Sequence, residues 1–375
     1  MKAMILAAGK GTRVQPITHE IPKPMIPIIN TPVMELIINH MKKHGFNDYV
    51  VNLSHLADKI ENYFGDGSRM GVNIAYSWEG YFDADKWIGG ALGSAGGMQQ
   101  IQKRTGFFDN TFAVLCGDAV IDVDFSEALK FHYQHEAIAT IVMKEVPKDE
   151  VSSYGVVVTD ENGRVQSFQE KPSPDEAKSN VINTGIYIFE PEIFEFIPES
   201  GEFDIGSDLF PKLVAAGASF YGVTLPFQWV DIGNTPDLWL ATQMALKGHI
   251  HNFEMPGKEV QDGVFVGANV LIEDGAEITG PVYIGGSTII RSGAKIVGPA
   301  LIHSGCLIES GAEINQSIVW NHTRVSEMAT IDKKIVFGPH CIDNNGKSIH
   351  LSDSGFEWLI GDTRKQLEND NPLEL

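Results

Sequence analysis

Residues 7–13 read Ala-Ala-Gly-Lys-Gly-Thr-Arg and follow the short apolar run MKAMIL. A glycine-rich turn after a first strand presents backbone N–H groups to an anion, and Gly9 and Gly11 let the main chain approach it closely. Two familiar phosphate-binding templates fail here. G-x-G-x-x-G needs glycine where Val14 stands, and G-x-x-x-x-G-K-[ST] needs Gly-Lys where Val14-Gln15 stands. The charge following the loop's glycines is Arg13. Ten residues later IPKPMIPI sets Lys23 between two prolines, which stiffen the chain and aim the amine. A Lys-Pro pair by itself is an ordinary surface turn; its place after Arg13 gives it meaning.

Two carboxylates stand out by position. TFAVLCGDAVID reads as a strand ending in Gly117-Asp118. Ligands of open α/β sheets bind beyond the carboxyl ends of strands, so Asp118 is set to hold a hard cation. Asp122 and Asp124 read as turn or helix caps. In FQWVDIGNTPDLW, Asp231 lies between Val230 and Ile232. A carboxylate there is costly to bury unless it is paired or bound to metal. FQEKPS adds Glu170 and Lys171, alone no more than a solvated turn, and INTGIYIFE puts Asn183, Thr184 and Gly185 at the start of a strand.

The elements that must carry these residues alternate over 1–247. AMILAA, DYVVNLS, NIAYS and TFAVLCGD read as strands. PVMELIINHMKKHG and SEALKFHYQHE read as helices, the first with Pro at its first turn, lysines near its end and Gly45 as its stop. Such alternation predicts a mostly parallel sheet with helices on both faces. From about 154, YGVVVTDENGRVQSFQEKP reads as an antiparallel hairpin around Glu-Asn-Gly. WEGYFDADKWIGG, 78–90, is either a flap over a nucleotide pocket or a plain surface loop.

The chain after 260 follows a different rule. Val260, Val266, Ile272, Ile278, Ile284, Ile290, Ile296, Ile302, Ile308 and Ile314 are ten apolar residues at a spacing of six. Four residues after each comes a second small, apolar or β-branched residue, running Val264, Val270, Ala276, Val282, Thr288, Ala294, Ala300, Cys306, Ala312, Ile318. This is the hexapeptide repeat of a β-helix, three units to a turn, with three to four turns expected. The regularity weakens at Trp320 and Ser326. The reading therefore divides the chain into a catalytic domain at 1–247, a linker at 248–258, a left-handed β-helix at 259–337 and a polar, acidic tail at 338–375.

The 375 residues carry a formal net charge of −21, which argues against nucleic acid or an anionic membrane as a partner. An acidic protein that binds phosphates must gather its few cations at one place, with a divalent metal. No apolar run approaches the length of a membrane span, and the N-terminal run is too short for a signal peptide. Cys116, Cys306 and Cys341 have no metal-like spacing, which fits a reducing, cytoplasmic setting.

Taken together these motifs resemble the sugar-1-phosphate nucleotidyltransferases, the nucleoside-diphosphate-sugar pyrophosphorylases. The resemblance rests on Gly11-Thr12-Arg13 and Pro22-Lys23-Pro24, and continues through ALGSAGG (91–97), CGDAV (116–120), YGVV (154–157), EKP (170–172), NTGIYIF (183–189) and WVDIG (229–233). It covers 1–247 almost continuously. Within the family the chain looks closest to the cyanobacterial-type UDP-glucose pyrophosphorylases, through MKAMILAAGKGTRV, ALGSAGGM, LCGDAVID, MKEVPKDEVSSYGVVVTDENGRV and NTGIYIFEPEIF.

The resemblance implies a Rossmann-like mixed α/β sheet, small-molecule substrates (a nucleoside triphosphate and a sugar 1-phosphate) and Mg2+. It implies that the loop at 6–13 binds the nucleotide. Leu6, Ala8 and Gly9 would lie near base or ribose, with Gly11 and Thr12 completing the loop and Gly93 lining the pocket. Arg13 would hold the β- and γ-phosphates, Lys23 the α-phosphate, and Asp118 and Asp231 the metal. Gly155, Glu170 and Asn183 would take the sugar hydroxyls and Lys171 its phosphate. The chemistry agrees, because bringing a sugar phosphate onto an α-phosphate requires positioning and charge neutralisation rather than a protein nucleophile.

UTP with glucose 1-phosphate is the first expectation and GTP with mannose 1-phosphate the second. Many relatives carry an acidic residue near the base where this chain has Gly90, so this loop does not name the base. A bifunctional enzyme with an acyltransferase β-helix would need His303 or His322, each otherwise a surface residue on a repeat corner. A subunit that only binds nucleotide sugars would not need Arg13, Lys23, Asp118 and Asp231 together. The β-helix reads most simply as an assembly element, making a homo-oligomer expected.

Overall fold

The computed structural model describes residues 1–84 and 86–365. They form two compact units that interleave along the chain. One comprises Met1–Lys10, Ile21–Met25 and Val33–Trp229; the other takes Gly11–Glu20, Ile26–Pro32 and the chain from Val230 onward.

The first unit is built on a nine-stranded mixed sheet. In chain order its strands are β1 (Lys2–Leu6), β2 (Asp48–Leu53), β3 (Asn73–Trp78), β4 (Phe112–Cys116), β5 (Ala139–Glu145), β6 (Gly155–Thr159), β7 (Val165–Glu170), β8 (Val181–Phe189) and β9 (Phe220–Thr224). They lie in the order β7-β6-β8-β4-β1-β2-β3, with β5 beside β8 and β9 beyond β5. β3, β2, β1 and β4 run parallel, and the largely apolar, buried sequences of β2, β1 and β4 suit burial on both faces. β8 runs against β4 and β5. The expected hairpin is β6–β7, with Gly155 opposite Glu170.

Helices α1 (Val33–Lys43), α2 (Ala57–Phe64), α3 (Ser94–Thr105), α4 (Phe125–Gln134) and α5 (Phe210–Ala215) belong to this unit. α1 buries Val33, Met34, Ile37, Ile38 and Met41, one stripe at helical spacing. Met98 of α3 and Phe210 of α5 join Met4, Val50, Phe112, Tyr187 and Phe189 in one core. Gly80–Asp83 pairs antiparallel with Lys86–Gly89, Gly80 opposite Gly89.

In the second unit the repeats form three parallel ladders. Ile284, Ile290, Ile296, Ile302, Ile308 and Ile314 are completely buried, and Val282, Ala294, Ala300 and Ala312 fill the smaller interior places. Two expectations are corrected here. Val260 is exposed, because Lys258–Gln261 folds back antiparallel on Val264–Val266 and the interior series opens at Val264. The repeat also slips by one residue near 316. Ile289 pairs with Leu307, eighteen residues on, but Leu301 pairs with Ile318, seventeen on. Ile318 is thus aligned with outward Leu301, and Ser317 takes the interior place. Its hydroxyl bonds to the carbonyls of Asn315 (2.6 Å) and Ile331 (3.2 Å) and accepts from Lys334 N (3.0 Å).

The six-residue count loses its register at this slip, and the coil itself continues to the upper end of the three to four turns expected. Ile318–Val319, Thr323–Val325 and Thr330–Asp332 complete a fourth. The outward row Tyr283, Leu301, Ile318 and Ile335 is nonetheless buried. Helix α6 (Thr235–Leu246) packs on this unit, with Trp239 Nε1 donating to Gln316 O at 3.0 Å and Gln243 Nε2 to Pro299 O at 3.0 Å. The boundary read from composition at 247–258 therefore does not coincide with this division. Beyond 337 the chain adds strands His340–Asp343, Ser348–His350 and Ile360–Asp362, the last pairing with Thr323–Val325. The end of the acidic tail lies outside the described residues. Among the described residues no helix is long and apolar enough to cross a membrane.

Candidate functional site

In the first unit the carboxyl ends of β1, β2 and β4 are level. Leu6 pairs with Asn52 on one side and Cys116 on the other. Gly117 N continues the ladder by donating to Leu6 O at 3.0 Å, which sets Asp118 just beyond the strand end. A Cβ on Gly117 would lie 3.0 Å from Ile5 and 3.1 Å from Leu6 O, so glycine is what lets the two chains stay this close. Lys23 reaches the same point. Its Nζ donates to Asp118 Oδ2 at 2.5 Å, with the two side chains only 11% and 25% exposed. A half-buried pair of this kind fixes both groups far better than a surface ion pair does.

Leu6 and Ala8 are partly exposed at the strand end, and Gly9 is exposed with open space where a Cβ would be. Ala7 N is held by Asn52 Oδ1 at 2.8 Å. Asn52 escaped the sequence reading; the available signal was a polar residue inside DYVVNL. Asp124 caps α4, accepting from Ser126 N and Glu127 N. Asp122 caps no helix; its Oδ1 accepts from Gln228 N at 2.5 Å and so ties down the segment leading to Trp229. Trp229 packs against Tyr154, ring centres 5.1 Å apart.

The β8 residues sit on a bulge. Val142 pairs with Ile186 but Met143 with Asn183, leaving Thr184 and Gly185 as extra residues. Gly185 has φ +73°, and a Cβ there would strike Cys116 Sγ at 2.7 Å. Bulges re-aim side chains. Here Asn183 is fixed by Gly185 N donating to its Oδ1 at 2.9 Å and by its Nδ2 donating to Tyr187 Oη at 3.0 Å. Each amide atom retains capacity for one further hydrogen bond. Lys171 N donates to Tyr154 O at 3.1 Å, and its backbone has φ +44°, a strained value for a non-glycine residue. Its Nζ meets Glu170 Oε1 at 3.1 Å, with both side chains about half exposed. Gly155 is required by packing, since a Cβ would lie 2.3 Å from the Phe168 ring.

Gly93 precedes α3 with φ +72°, its Cα pressed on the backbone of Phe203. In the first turn of α3 the N–H groups of Ala95 and Gly96 donate to Phe203 O at 3.0 and 2.8 Å. Those two donors are therefore already occupied within the protein.

In the second unit Gly11 takes a left-handed turn, φ +61°, and starts the short helical turn Thr12–Val14. Thr18 Oγ1 holds Gly11 O at 2.8 Å. Thr12 and Arg13 are exposed or partly so. Arg13 and Asp231 converge around Gly233: a Cβ there would be 3.0 Å from Asp231 Oδ2 and 3.8 Å from Arg13 Nη1. Histidine expectations for the β-helix need one correction. His303 is not a surface residue; it is 5% exposed, packed at a tilt against Trp320 with ring centres 4.6 Å apart, and burial pushes it down to about 4. His322 is exposed on a left-handed turn. Cys306 is buried, its thiol pushed up to about 12, which leaves it unreactive.

A sequence model of the nucleotidyl transferase family matches residues 2–248. A UTP–glucose-1-phosphate uridylyltransferase of Synechocystis sp. is 54% identical over 365 residues, 97% of this chain and 94% of that protein. A mannose-1-phosphate guanylyltransferase of Mycobacterium tuberculosis is 30% identical over 284 residues, 73% of each chain. A solved UDP-glucose pyrophosphorylase complexed with UDP-glucose shares the fold, with TM-score 0.55, 21% identity, 66% of this chain covered and 98% of that one. With a turn of glycines at the end of β1, a lysine–aspartate pair beside it and this match along the whole first unit, the chain belongs to the nucleotidyl transferase family.

Proposed function

We propose that the chain is a UTP–glucose-1-phosphate uridylyltransferase, an enzyme that makes UDP-glucose and pyrophosphate. The observation that carries this reading is the 54% identity with the Synechocystis enzyme, which runs through 97% of the chain, β-helix included. The guanylyltransferase match is weaker and shorter.

A phosphate oxygen of glucose 1-phosphate attacks the α-phosphorus of UTP, the bond from that phosphorus to its bridging oxygen breaks, and pyrophosphate leaves with the electron pair. The nucleophile is already an anion, so no general base is needed. What must be overcome is repulsion between two anions. In this reading Lys23 neutralises the α-phosphate, aimed by its bond to Asp118, and Arg13 holds the β- and γ-phosphates. Leu6, Ala8, Gly9, Gly11, Thr12 and Gly93 receive the nucleoside and the start of the phosphate chain. Glu170, Asn183 and the Gly155 backbone bind the sugar hydroxyls, and Lys171 binds the sugar's phosphate.

Asp118 and Asp231 are the carboxylates assigned to Mg2+, which when bound neutralises charge on the departing pyrophosphate. Among the described residues no group of three or more His, Cys, Asp or Glu converges. One or two carboxylates are the usual protein share of a Mg2+ site, the substrate phosphates and water supplying the rest. The free cysteines fit a cytoplasmic enzyme, and the β-helix fits a homo-oligomer, which mass measurement in solution would show.

The test is a matrix of UTP, GTP, CTP and dTTP against glucose and mannose 1-phosphates, read by pyrophosphate release. Turnover is expected to be fastest with UTP and glucose 1-phosphate. Faster turnover with GTP and mannose 1-phosphate overturns the reading.

A further inference from the structure

Glu79 is a carboxylate in an unexpected place. It follows β3 directly and is 1% exposed, and among the described residues no cation hydrogen-bonds to it. Its Oε1 accepts from Asn52 Nδ2 at 2.8 Å and its Oε2 from Leu92 N at 3.2 Å. Asn52, 3% exposed, passes the connection on, its Oδ1 accepting from Ala7 N at 2.8 Å. The main chain reinforces the arrangement, with Glu79 N donating to Leu53 O at 2.7 Å and Gly90 N donating to Glu79 O at 3.1 Å. The pair Gly80–Asp83 and Lys86–Gly89 thus leaves and returns at Glu79.

Burying a carboxylate without a cation is expensive, and a hydrocarbon side chain would fill the space without that cost. The surroundings are shaped for the carboxylate all the same. Gly97 of α3 faces it, and a Cβ there would lie 2.4 Å from Glu79 Oε1 and 3.4 Å from Asn52 Nδ2. The second glycine of SAGG is thus the seat of this carboxylate. The three segments joined are Ala7 at the end of β1, Asn52 in β2 and Leu92 at the entry to Gly93. These are the segments that the proposed function assigns to the nucleoside.

We propose that Glu79, acting through Asn52, is a positioning residue that holds Ala7–Gly9 and Leu92–Gly93 in one register to receive the nucleoside of the triphosphate. The inference rests on the nucleotide reading of these loops. Neither residue takes part in the chemistry, so their contribution lies in binding the nucleotide, not in the rate of the bound complex.

The hydrogen-bond pattern supplies its own test. Glu79→Gln turns one acceptor into a donor and sets N–H against N–H, at Asn52 or at Leu92. Asn52→Asp sets carboxylate against carboxylate. The double variant Asn52→Asp/Glu79→Gln restores every bond. Its new carboxylate in β2 accepts from Ala7 N and from the new amide after β3, and the oxygen of that amide accepts from Leu92 N. Each single variant is expected to raise KM for UTP about tenfold, with kcat and the KM for glucose 1-phosphate within about threefold of wild type. The double variant is expected to recover most of the lost affinity.

An unchanged KM for UTP in Glu79→Gln overturns the proposal. So does a folded double variant with no recovery, or a loss confined to kcat and thermal stability. If the single variants do not fold, Gly97→Ala decides, because it displaces the carboxylate while improving helix propensity. It is expected to raise the same KM, and an unchanged value counts against the proposal. Failure of the substrate reading is separable, since it appears as wild-type preference for another triphosphate. The same variants are then measured with that triphosphate.

Discussion

Lys23 Nζ and Asp118 Oδ2 lie 2.5 Å apart just beyond the carboxyl end of β4, so neither can be replaced without changing the setting of the other. Asp118→Asn keeps the shape and gives the amine an oxygen to meet, but removes the charge that would hold a cation. Turnover is expected to fall by about a thousandfold with the circular dichroism spectrum unchanged, and added Mg2+ is expected not to restore it. In the wild type a chelator should abolish turnover and Mg2+ should return it; full activity in the chelator would refute the metal assignment. Lys23→Met is expected to lower kcat by about a hundredfold or more, with a smaller effect on KM. These residues were legible because they occur in an ordered series of short motifs. Asn52 and Glu79 were not. Each is one polar residue at a strand end, and only the fold reveals that they touch each other and two distant backbone amides.

At the scale of elements, periodicity identified strands and helices well, because burial of alternate or helically spaced residues is itself what forms them. β1, β2, β4, α1, α4 and the β6–β7 hairpin all stand where their patterns lie. Failures came where a single backbone event changed the count. One residue fewer near Ser317 shifted the interior set, so that Ser317 and not Ile318 takes the interior place. The occupation of two first-turn α3 amides by Phe203 O is a tertiary contact, invisible in GSAGG itself. Gly93→Ala would place a Cβ 2.4 Å from that carbonyl at φ +72°, and a loss of about 2 kcal/mol or more is expected in denaturant unfolding.

His303 makes a prediction for the β-helix. Among the described residues its buried Nε2 has no hydrogen-bond partner, and burial holds it neutral down to about 4. Unfolding returns it to its ordinary value near 6.5, so below that pH the unfolded chain takes up a proton that the folded one refuses. Stability should therefore fall as pH drops from about 6.5 toward about 4, by up to roughly 1.4 kcal/mol per pH unit from this residue. The melting temperature of His303→Met is expected to decline less steeply over that range, and equal slopes would contradict this assignment.

For the whole molecule, the division of the chain matters more than its length. Residues 11–20 and 26–32 are counted with the unit that begins again at Val230, while residues 21–25 belong to the other. Asn30 bonds the Tyr283 hydroxyl, and Arg13 stands near Asp231 and Gly233. A fragment ending at residue 247 would retain every motif of the resemblance, yet it would lack Tyr283 and the turns of the β-helix on which α6 lies. Such a fragment is expected to be poorly soluble and inactive, measured against the full chain in expression and turnover.

The same interleaving bears on how the protein is made. Synthesis runs from the N-terminus, and Arg13 leaves the ribosome more than two hundred residues before Asp231 and Gly233 exist. The short turn around Arg13 is thus among the first parts of the chain to be exposed and among the last to find its neighbours. A nascent chain can assemble β1 to β4 as they emerge, but closing this loop against its partners waits for the C-terminal third, the slow, long-range kind of contact. Turnover should accordingly appear only on completion of the polypeptide, however early its glycine-rich loop was translated.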